Sequence, residues 1–120
     1  MDNPDTKGAT ETSPGVFRCR DVDMLLQAVS EAKANSDFVV VYIHWGTEST
    51  TELDWAQKEQ APRIAAAGAD LIIGDHPHVL QGIDYIGNTP VIYSLGNFLF
   101  NSKTQDTCLV RAILDEDRAA

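Results

Sequence analysis

The sequence predicts an α/β fold in which helices cover a largely parallel sheet. Residues 38–43 and 71–73 are uninterrupted apolar runs, which are typical of strands buried on both faces of such a sheet. Residues 52–67 between them have the character of a helix, so the three segments form a βαβ unit. With 120 residues, of which 43% are hydrophobic, the chain is long enough for one domain at most.

The sequence of residues 1–34 predicts a tail followed by a helix. Residues 1–15 are polar and rich in turn-forming side chains, which predicts a disordered tail or linker. Residues 16–20 are expected to be a short strand or a lead-in. Residues 21–34 place their apolar side chains on one helical face, and Asp21 or Asp23 can cap the start of this helix.

The second helix, over residues 52–67, contains a proline and is followed by a glycine. Pro62 removes a backbone donor, so we expect a kink there or a late helix start near residue 60. Gly68 is placed to be the left-handed residue that closes the helix.

The last third predicts a β-hairpin. Residues 82–86 alternate between apolar and polar side chains, and residues 90–93 are apolar again. Gly87 and Asn88 between them signal a turn.

The segment after the hairpin predicts a turn and one more strand. We interpret Asn97 mainly as a turn residue, with a place near the ligand-binding edge as the alternative. Residues 107–114 are expected to form a final strand, and residues 115–120 a polar tail.

Charge and hydropathy argue against several classes of protein. A net charge of -9 argues against nucleic-acid binding and against docking on an anionic membrane, because both rely on clustered Lys and Arg. No run of about 18 apolar residues occurs, so we expect no membrane segment and a soluble chain. Cys19 and Cys108 lie far apart and can be buried thiols or one disulfide.

All three histidines follow predicted strands. His44 comes directly after the first apolar run, and His76 and His78 come shortly after the second. Parallel neighbours end at the same edge of a sheet, where open α/β sheets bind ligands. We therefore expect the three rings to lie together, and we interpret them as metal ligands rather than as loop side chains bonded to backbone.

The spacing of the last two histidines leaves the number of metals open. A His-x-His pair in an extended loop points its rings to opposite sides and serves two metals, whereas a curled loop serves one. Glu48, Asp75 and Asp84 are nearby carboxylates that could ligate a metal or orient a ligating ring. Imidazole with carboxylate suits zinc, manganese or iron.

Four motifs in a fixed order give the chain a family resemblance. They begin at His44 (His-Trp-Gly-Thr-Glu), Gly68 (Gly-Ala-Asp), Gly74 (Gly-Asp-His-Pro-His-Val-Leu-Gln) and Tyr93 (Tyr-Ser-Leu-Gly-Asn-Phe). Over residues 20–114, the sequence resembles the bacterial capsule-synthesis proteins of the CapA or PgsA type, which are tied to poly-γ-glutamate production.

The resemblance implies a fold, a site and a setting. The fold would be the α/β/β/α sandwich of calcineurin-type metallophosphoesterases, with room for two divalent metals in the full domain. His44, His76 and His78 would be metal ligands, and Glu48 would have a catalytic role in substrate contact or proton transfer. The parent protein would act at the extracytoplasmic face of the bacterial membrane, on polyglutamate or within a capsule-synthesis complex.

The family domain is about twice as long as this chain, and residues 16–114 resemble its C-terminal half. The first half should carry Gly-Asp and Asn-His pairs that supply the remaining ligands. We therefore expect weak or absent metal binding and little catalysis from this chain alone. An uncovered sheet edge predicts a homo-oligomer. The alternative function is a non-catalytic scaffold or interaction module of a capsule-synthesis or export complex.

Overall fold

The computed structural model describes residues 6–100 and 102–115, so parts of both predicted tails, residues 1–5 and 116–120, lie outside the described residues. The described chain is a mixed α/β unit, which confirms the predicted fold class. Its elements are α1 (Val22–Ala34), β1 (Val40–His44), α2 (Trp55–Ala66), β2 (Leu71–Asp75), β3 (Ile83–Ile86) and β4 (Thr89–Ile92).

The four strands form one sheet in the order β1-β2-β4-β3. β1 and β2 are parallel, with His44 opposite Asp75 at their carboxyl ends. β4 runs parallel to β2, and β3 pairs with β4 as an antiparallel hairpin. The βαβ unit and the hairpin are therefore both confirmed, and β1 and β3 are the two edges of the sheet.

Aspartate caps begin both helices, because a carboxylate accepts the unpaired N–H groups of a first turn. Asp21 accepts from the Met24 N–H at 3.1 Å. Asp54 and Gln57 form a capping box that fixes the start of α2. The helix runs from this cap through the exposed Pro62. The predicted late start near residue 60 is therefore wrong.

The core lies between the two helices and one face of the sheet. Helix–sheet packing needs apolar stripes on both partners, and the sequence supplies them at helical and strand spacing. The buried cluster comprises Leu25, Val29, Val39, Ile43, Trp45, Ala61, Ile64, Ala69, Ile72, Val91 and Tyr93.

The opposite face of the sheet is exposed on its two edge strands, whereas Leu71 and Ile92 of the central strands are buried on that face. On β1, Val40 is 47% exposed and Tyr42 65% exposed, and on β3 Tyr85 is 63% exposed. The prediction that residues 38–43 are buried on both faces is therefore wrong. Both helices that the structure describes pack on the other face, so side chains of β1 alternate between a covered and an uncovered environment.

The segment beyond β4 does not form the predicted strand. The described residues 107–114 form no strand. Their apolar side chains are largely in solvent, with Leu109 83% and Ile113 72% exposed. Apolar and β-branched residues favour strands only where a neighbouring strand pairs with them. The prediction failed because the described chain offers no neighbouring strand with which this segment could pair.

The state of the cysteines and the character of the helices answer two further expectations from the sequence. Cys19 and Cys108 are both free thiols, so the disulfide alternative is wrong for this structure. In the part of the chain that the structure describes, no helix is both long and apolar enough to cross a membrane.

Candidate metal centre

The candidate site lies at the carboxyl ends of β1 and β2. The ladder continues one step past β1, where the Trp45 N–H donates to the Asp75 carbonyl at 3.1 Å. The Trp45 ring turns into the core, and its Nε1–H donates to the Tyr93 carbonyl at 3.2 Å. A Cβ on Gly74 would collide with both of these groups. Glycine therefore lets the two strands close on the indole just before the histidine loop begins.

The His76-Pro77-His78 segment is curled rather than extended. His76 has φ 102° and His78 has φ 61°, both in the left-handed region. Such backbone costs about 1–3 kcal/mol per residue unless the surrounding structure holds it. Pro77 is fully buried, and its carbonyl accepts the Ser49 N–H at 2.8 Å. These contacts fix the curl, which favours the alternative in which one metal is shared.

A buried pair of amides holds the loop that carries Glu48. Gln57 has no exposed surface, and its Nε2 donates to Gln81 Oε1 at 2.7 Å. Gln81 Nε2 in turn donates to the carbonyls of Thr50 and Glu52 at 3.1 and 3.3 Å. Helix α2, the loop after β1 and the segment after the histidines are thereby joined by one network.

The structure brings the three predicted histidines together. The ring centroids of His44 and His76 are 4.5 Å apart, and those of His76 and His78 are 6.0 Å apart. Glu48 Oε1 lies 4.0 Å from His76 Nε2. The ligand atoms of Glu48, His76 and His78 all lie within 4.8 Å of one another. The carboxylate predicted for catalysis therefore lies where it can also ligate.

His44 stands beside this group and is held by a carboxylate. Its Nδ1 lies 2.6 Å from Asp75 Oδ1, and the Tyr42 hydroxyl donates to the other oxygen of that carboxylate at 2.7 Å. The His44 side chain is 68% exposed. Of the carboxylates that the sequence left open as ligands or orienting groups, Asp75 contacts a histidine ring. Asp84, on β3, instead accepts the Tyr85 N–H.

Asn97 contacts the site, although the turn interpretation was favoured from the sequence. Its Oδ1 lies 2.8 Å from His78 Nδ1, and its Nδ2 donates to Gln105 Oε1 at 3.0 Å. Gly96 with φ 69° makes the turn that the sequence predicted. The turn and the contact therefore coexist. The signal that could have found the contact is the placement of Ser94-Leu-Gly-Asn just beyond β4, which pairs with β2.

The electrostatics favour a neutral ring at the centre of the cluster. Burial lowers the pKa of His76, and the neighbouring His44 lowers it further, against a smaller opposing effect of Glu48. The hydrogen bond to Asp75 raises the pKa of the Tyr42 hydroxyl, which keeps that hydroxyl protonated as a donor. A neutral imidazole is the form that binds a metal.

The donor set fits a divalent metal. Two imidazoles and one glutamate are a ligand set of catalytic zinc sites, which leave the fourth position open. Ligand atoms around tetrahedral zinc lie about 3.4 Å apart, given bonds of about 2.1 Å. The atoms of Glu48, His76 and His78, which lie up to 4.8 Å apart, would need to move closer by up to about 1.4 Å to reach that spacing.

A cleft opens beside the cluster. Its lining includes His44, Glu48 and His76 of the cluster together with residues 16–20. A substrate could approach the three side chains through this cleft, since ligand sites are concave and carry a few convergent polar groups.

A helix-covered sheet with clustered histidines and a glutamate at its strand ends is an α/β domain with a candidate metal site. The profile of the bacterial capsule synthesis protein family, PGA_cap, matches residues 1–102. The chain belongs to this family, whose fold is metallophosphoesterase-like.

Comparison with curated proteins agrees with this assignment. The chain is 41% identical over 106 residues to the PGA biosynthesis protein CapA of Bacillus subtilis (strain 168), covering 86% of this chain and 28% of that protein. It is 40% identical over 119 residues to the capsule biosynthesis protein CapA of Bacillus anthracis, covering 93% of this chain and 29% of that protein. The chain therefore spans under a third of the length of these relatives.

Proposed function

We propose that this chain forms the metal-binding part of a hydrolase-like domain that serves bacterial capsule biosynthesis. The names of the two Bacillus relatives support the capsule setting. The cluster of Glu48, His76 and His78 is the observation that carries the metal-dependent half of the proposal.

Each residue of the cluster has a defined role in this proposal. His76 and His78 each supply a ring nitrogen, and Glu48 supplies a carboxylate oxygen. His44 lies next to His76 and completes the set, or serves a second ion in the longer domain. A divalent ion such as zinc, manganese or iron would act here as a Lewis acid and lower the pKa of a bound water. The Glu48 side chain is 53% exposed, so if other ligands of the longer domain hold the ion, Glu48 is accessible for its predicted role in substrate contact or proton transfer.

The setting of the whole protein is a further part of the proposal. The word PGA in the name of the Bacillus subtilis relative supports poly-γ-glutamate as the polymer. We place the parent at the extracytoplasmic face of the membrane, acting on polyglutamate or within its synthesis complex. The chain alone is expected to bind metal weakly and to catalyse little, because it offers only these few ligands within the described residues.

Self-association is proposed for the 120-residue chain. Edge strand β1 carries no charge or proline over residues 40–43, and its open face exposes Val40 and Tyr42. Apolar edges of this kind pair with other strands. The partner proposed for this edge is a second copy of the chain. Sedimentation should give a dimer or larger species, and a compact monomer at all concentrations would contradict this.

The second candidate function is a non-catalytic scaffold in the same pathway. The open apolar face of the sheet favours it, because uncovered patches mark interaction sites. On this hypothesis the histidines are dispensable, and the surface around Val40 and Tyr85 carries the function.

A chimera separates the two candidates. The matching segment of the Bacillus subtilis relative would be replaced by this chain, with or without His76→Ala, and capsule polymer would be measured. The metal-dependent function predicts polymer from the native chimera and a loss of polymer from the variant. The scaffold function predicts equal amounts from both. Lys58→Ala, at an exposed position of α2, serves as the matched control, and immunoblotting checks that each chimera accumulates.

A further inference from the structure

We propose that Asp75 and Asn97 are positioning residues that hold the ring protons of His44 and His78 on Nδ1. The Nε2 atoms of both rings are then left unprotonated and able to bind a metal. This inference rests on the proposed metal-binding function, because it explains which nitrogen of two histidine rings is left free to bind the metal. It also ties the C-terminal segment of the chain to the site.

The contact between His44 and Asp75 fixes one tautomer by chemistry alone. An ionised carboxylate can only accept hydrogen bonds, so the 2.6 Å contact requires the proton on His44 Nδ1. The Tyr42 hydroxyl donates to the second carboxylate oxygen at 2.7 Å and holds the carboxylate in place. Because His44 and Asp75 face each other across the parallel ladder, this pair is built into the strand register.

His78 is held in the same way by an amide. Asn97 presents Oδ1 to His78 Nδ1 at 2.8 Å, while its Nδ2 donates to Gln105 Oε1 at 3.0 Å. The bond to Gln105 directs the amide nitrogen away from the ring, so the oxygen faces Nδ1. An amide oxygen accepts, and the proton is therefore placed on Nδ1 of His78.

The two contacts come from different parts of the chain and have the same consequence. Asp75 ends β2, whereas Asn97 lies in the turn after β4. In each case a side-chain oxygen accepts a hydrogen bond from Nδ1. The hydrogen bond at one ring nitrogen sets which nitrogen remains to bind a metal. Such outer partners orient ligating rings and raise their basicity. A purely structural turn at Asn97 would not require its oxygen to face an imidazole.

Nitrogen NMR of the histidine rings tests the inference without any metal. The 120-residue chain, labelled with ¹⁵N in its imidazoles, would be studied at about pH 8, where free histidine is neutral. We expect His44 and His78 to show a protonated Nδ1 and an unprotonated Nε2. A protonated Nε2 on either ring of the native chain would overturn the proposal for that ring.

Matched variants separate positioning from folding. Asp75→Leu and Asn97→Leu should each abolish the Nδ1–H pattern of their own ring. Asp84→Leu and Asn88→Leu, at exposed sites on the hairpin, should leave both rings unchanged. Asn97→Asp keeps an acceptor and should preserve the pattern of His78. Unchanged rings in both leucine variants, or a lost pattern in Asn97→Asp, would contradict the inference.

Zinc titration then connects the tautomers to the metal. Each leucine variant should bind zinc about 10- to 100-fold more weakly than the native chain, the usual effect of losing such a partner. Equal affinity in native and variant chains would overturn the positioning role. Correct tautomers with no zinc binding by the native chain would instead contradict the proposed function, so the two failures are distinguishable.

Discussion

The two faces of the sheet differ in what the described chain provides for them. Beneath the helices, Ile64, Ile72 and Val91 are fully buried in a continuous core. On the other face, Tyr42, Ile83 and Tyr85 are more than half exposed although they are large and apolar. The strand ends that carry the histidines lie between these two environments. The comparison teaches that packing beneath the helices supports the strands that carry the site, while the exposed side chains of the edge strands on the other face are available for a partner.

The largest effect is expected on the covered face, at Gly74. Gly74→Ala places a methyl group against the Trp45 indole and the Tyr93 carbonyl, so the two strands must separate or the indole must leave the core. We expect a loss of about 3 kcal/mol or more in the free energy of unfolding, measured by urea denaturation. Gly82→Ala is the control, because a Cβ there meets nothing within 4 Å. Equal stability of the two variants would contradict this packing.

The next effect tests the network behind the Glu48 loop. Gln57→Ala removes the donor to Gln81 and half of the capping box, and it leaves a buried amide oxygen without its partner. The expected loss is about 2–3 kcal/mol, measured by thermal unfolding. Gln60→Ala on the same helix, at a half-buried position, should cost much less. A similar cost for both would mean that the amide pair does not hold the loop.

On the exposed face, substitutions should change self-association and leave the stability of the monomer nearly unchanged. Val40→Thr with Tyr85→Thr makes that face more polar without touching the core. We expect the free energy of unfolding of the monomer to change by about 0.5 kcal/mol or less. Self-association, followed by sedimentation over a range of concentrations, should weaken. A large loss of stability in dilute solution would show that this face is already covered within a single chain.

The smallest expected effect is a pH dependence of stability that arises from His76, in the loop directly after β2. Burial lowers the pKa of His76 below its usual 6.5 in the folded chain. The unfolded chain therefore takes up this proton first as the pH falls, and stability should decline from about pH 7 toward the lower folded pKa. Urea denaturation at a series of pH values measures the slope. In His76→Gln this part of the slope should vanish, and an unchanged slope would exclude His76 as its source.

Much of the architecture could be predicted because local patterns and connection rules agree. Two apolar runs separated by a helix required a parallel pair, and that pair placed the histidines at one edge of the sheet. The burial of β1 on both faces was predicted wrongly, because a run of apolar residues does not reveal which layers are present to cover it. The same holds for residues 107–114, whose strand needed a partner that the described chain does not offer.

The details of the site depended on contacts between distant segments. The pairing of Asp75 with His44 follows from the register of β1 and β2, which no local pattern specifies. The contact of Asn97 with His78 joins residues 19 positions apart through a turn whose glycine and asparagine have an ordinary explanation. The positive φ values at His76 and His78 could not be predicted from the sequence, because few non-glycine residues adopt them and no local pattern marks which ones do.

Calorimetric titration of the chain with zinc and manganese tests the central claim most directly. The native chain should bind one ion weakly, and His76→Ala should abolish the binding, because His76 lies between His44, His78 and Glu48. Binding that survives in His76→Ala would show that the ion sits elsewhere. No binding by the native chain would contradict a metal site formed by these residues alone.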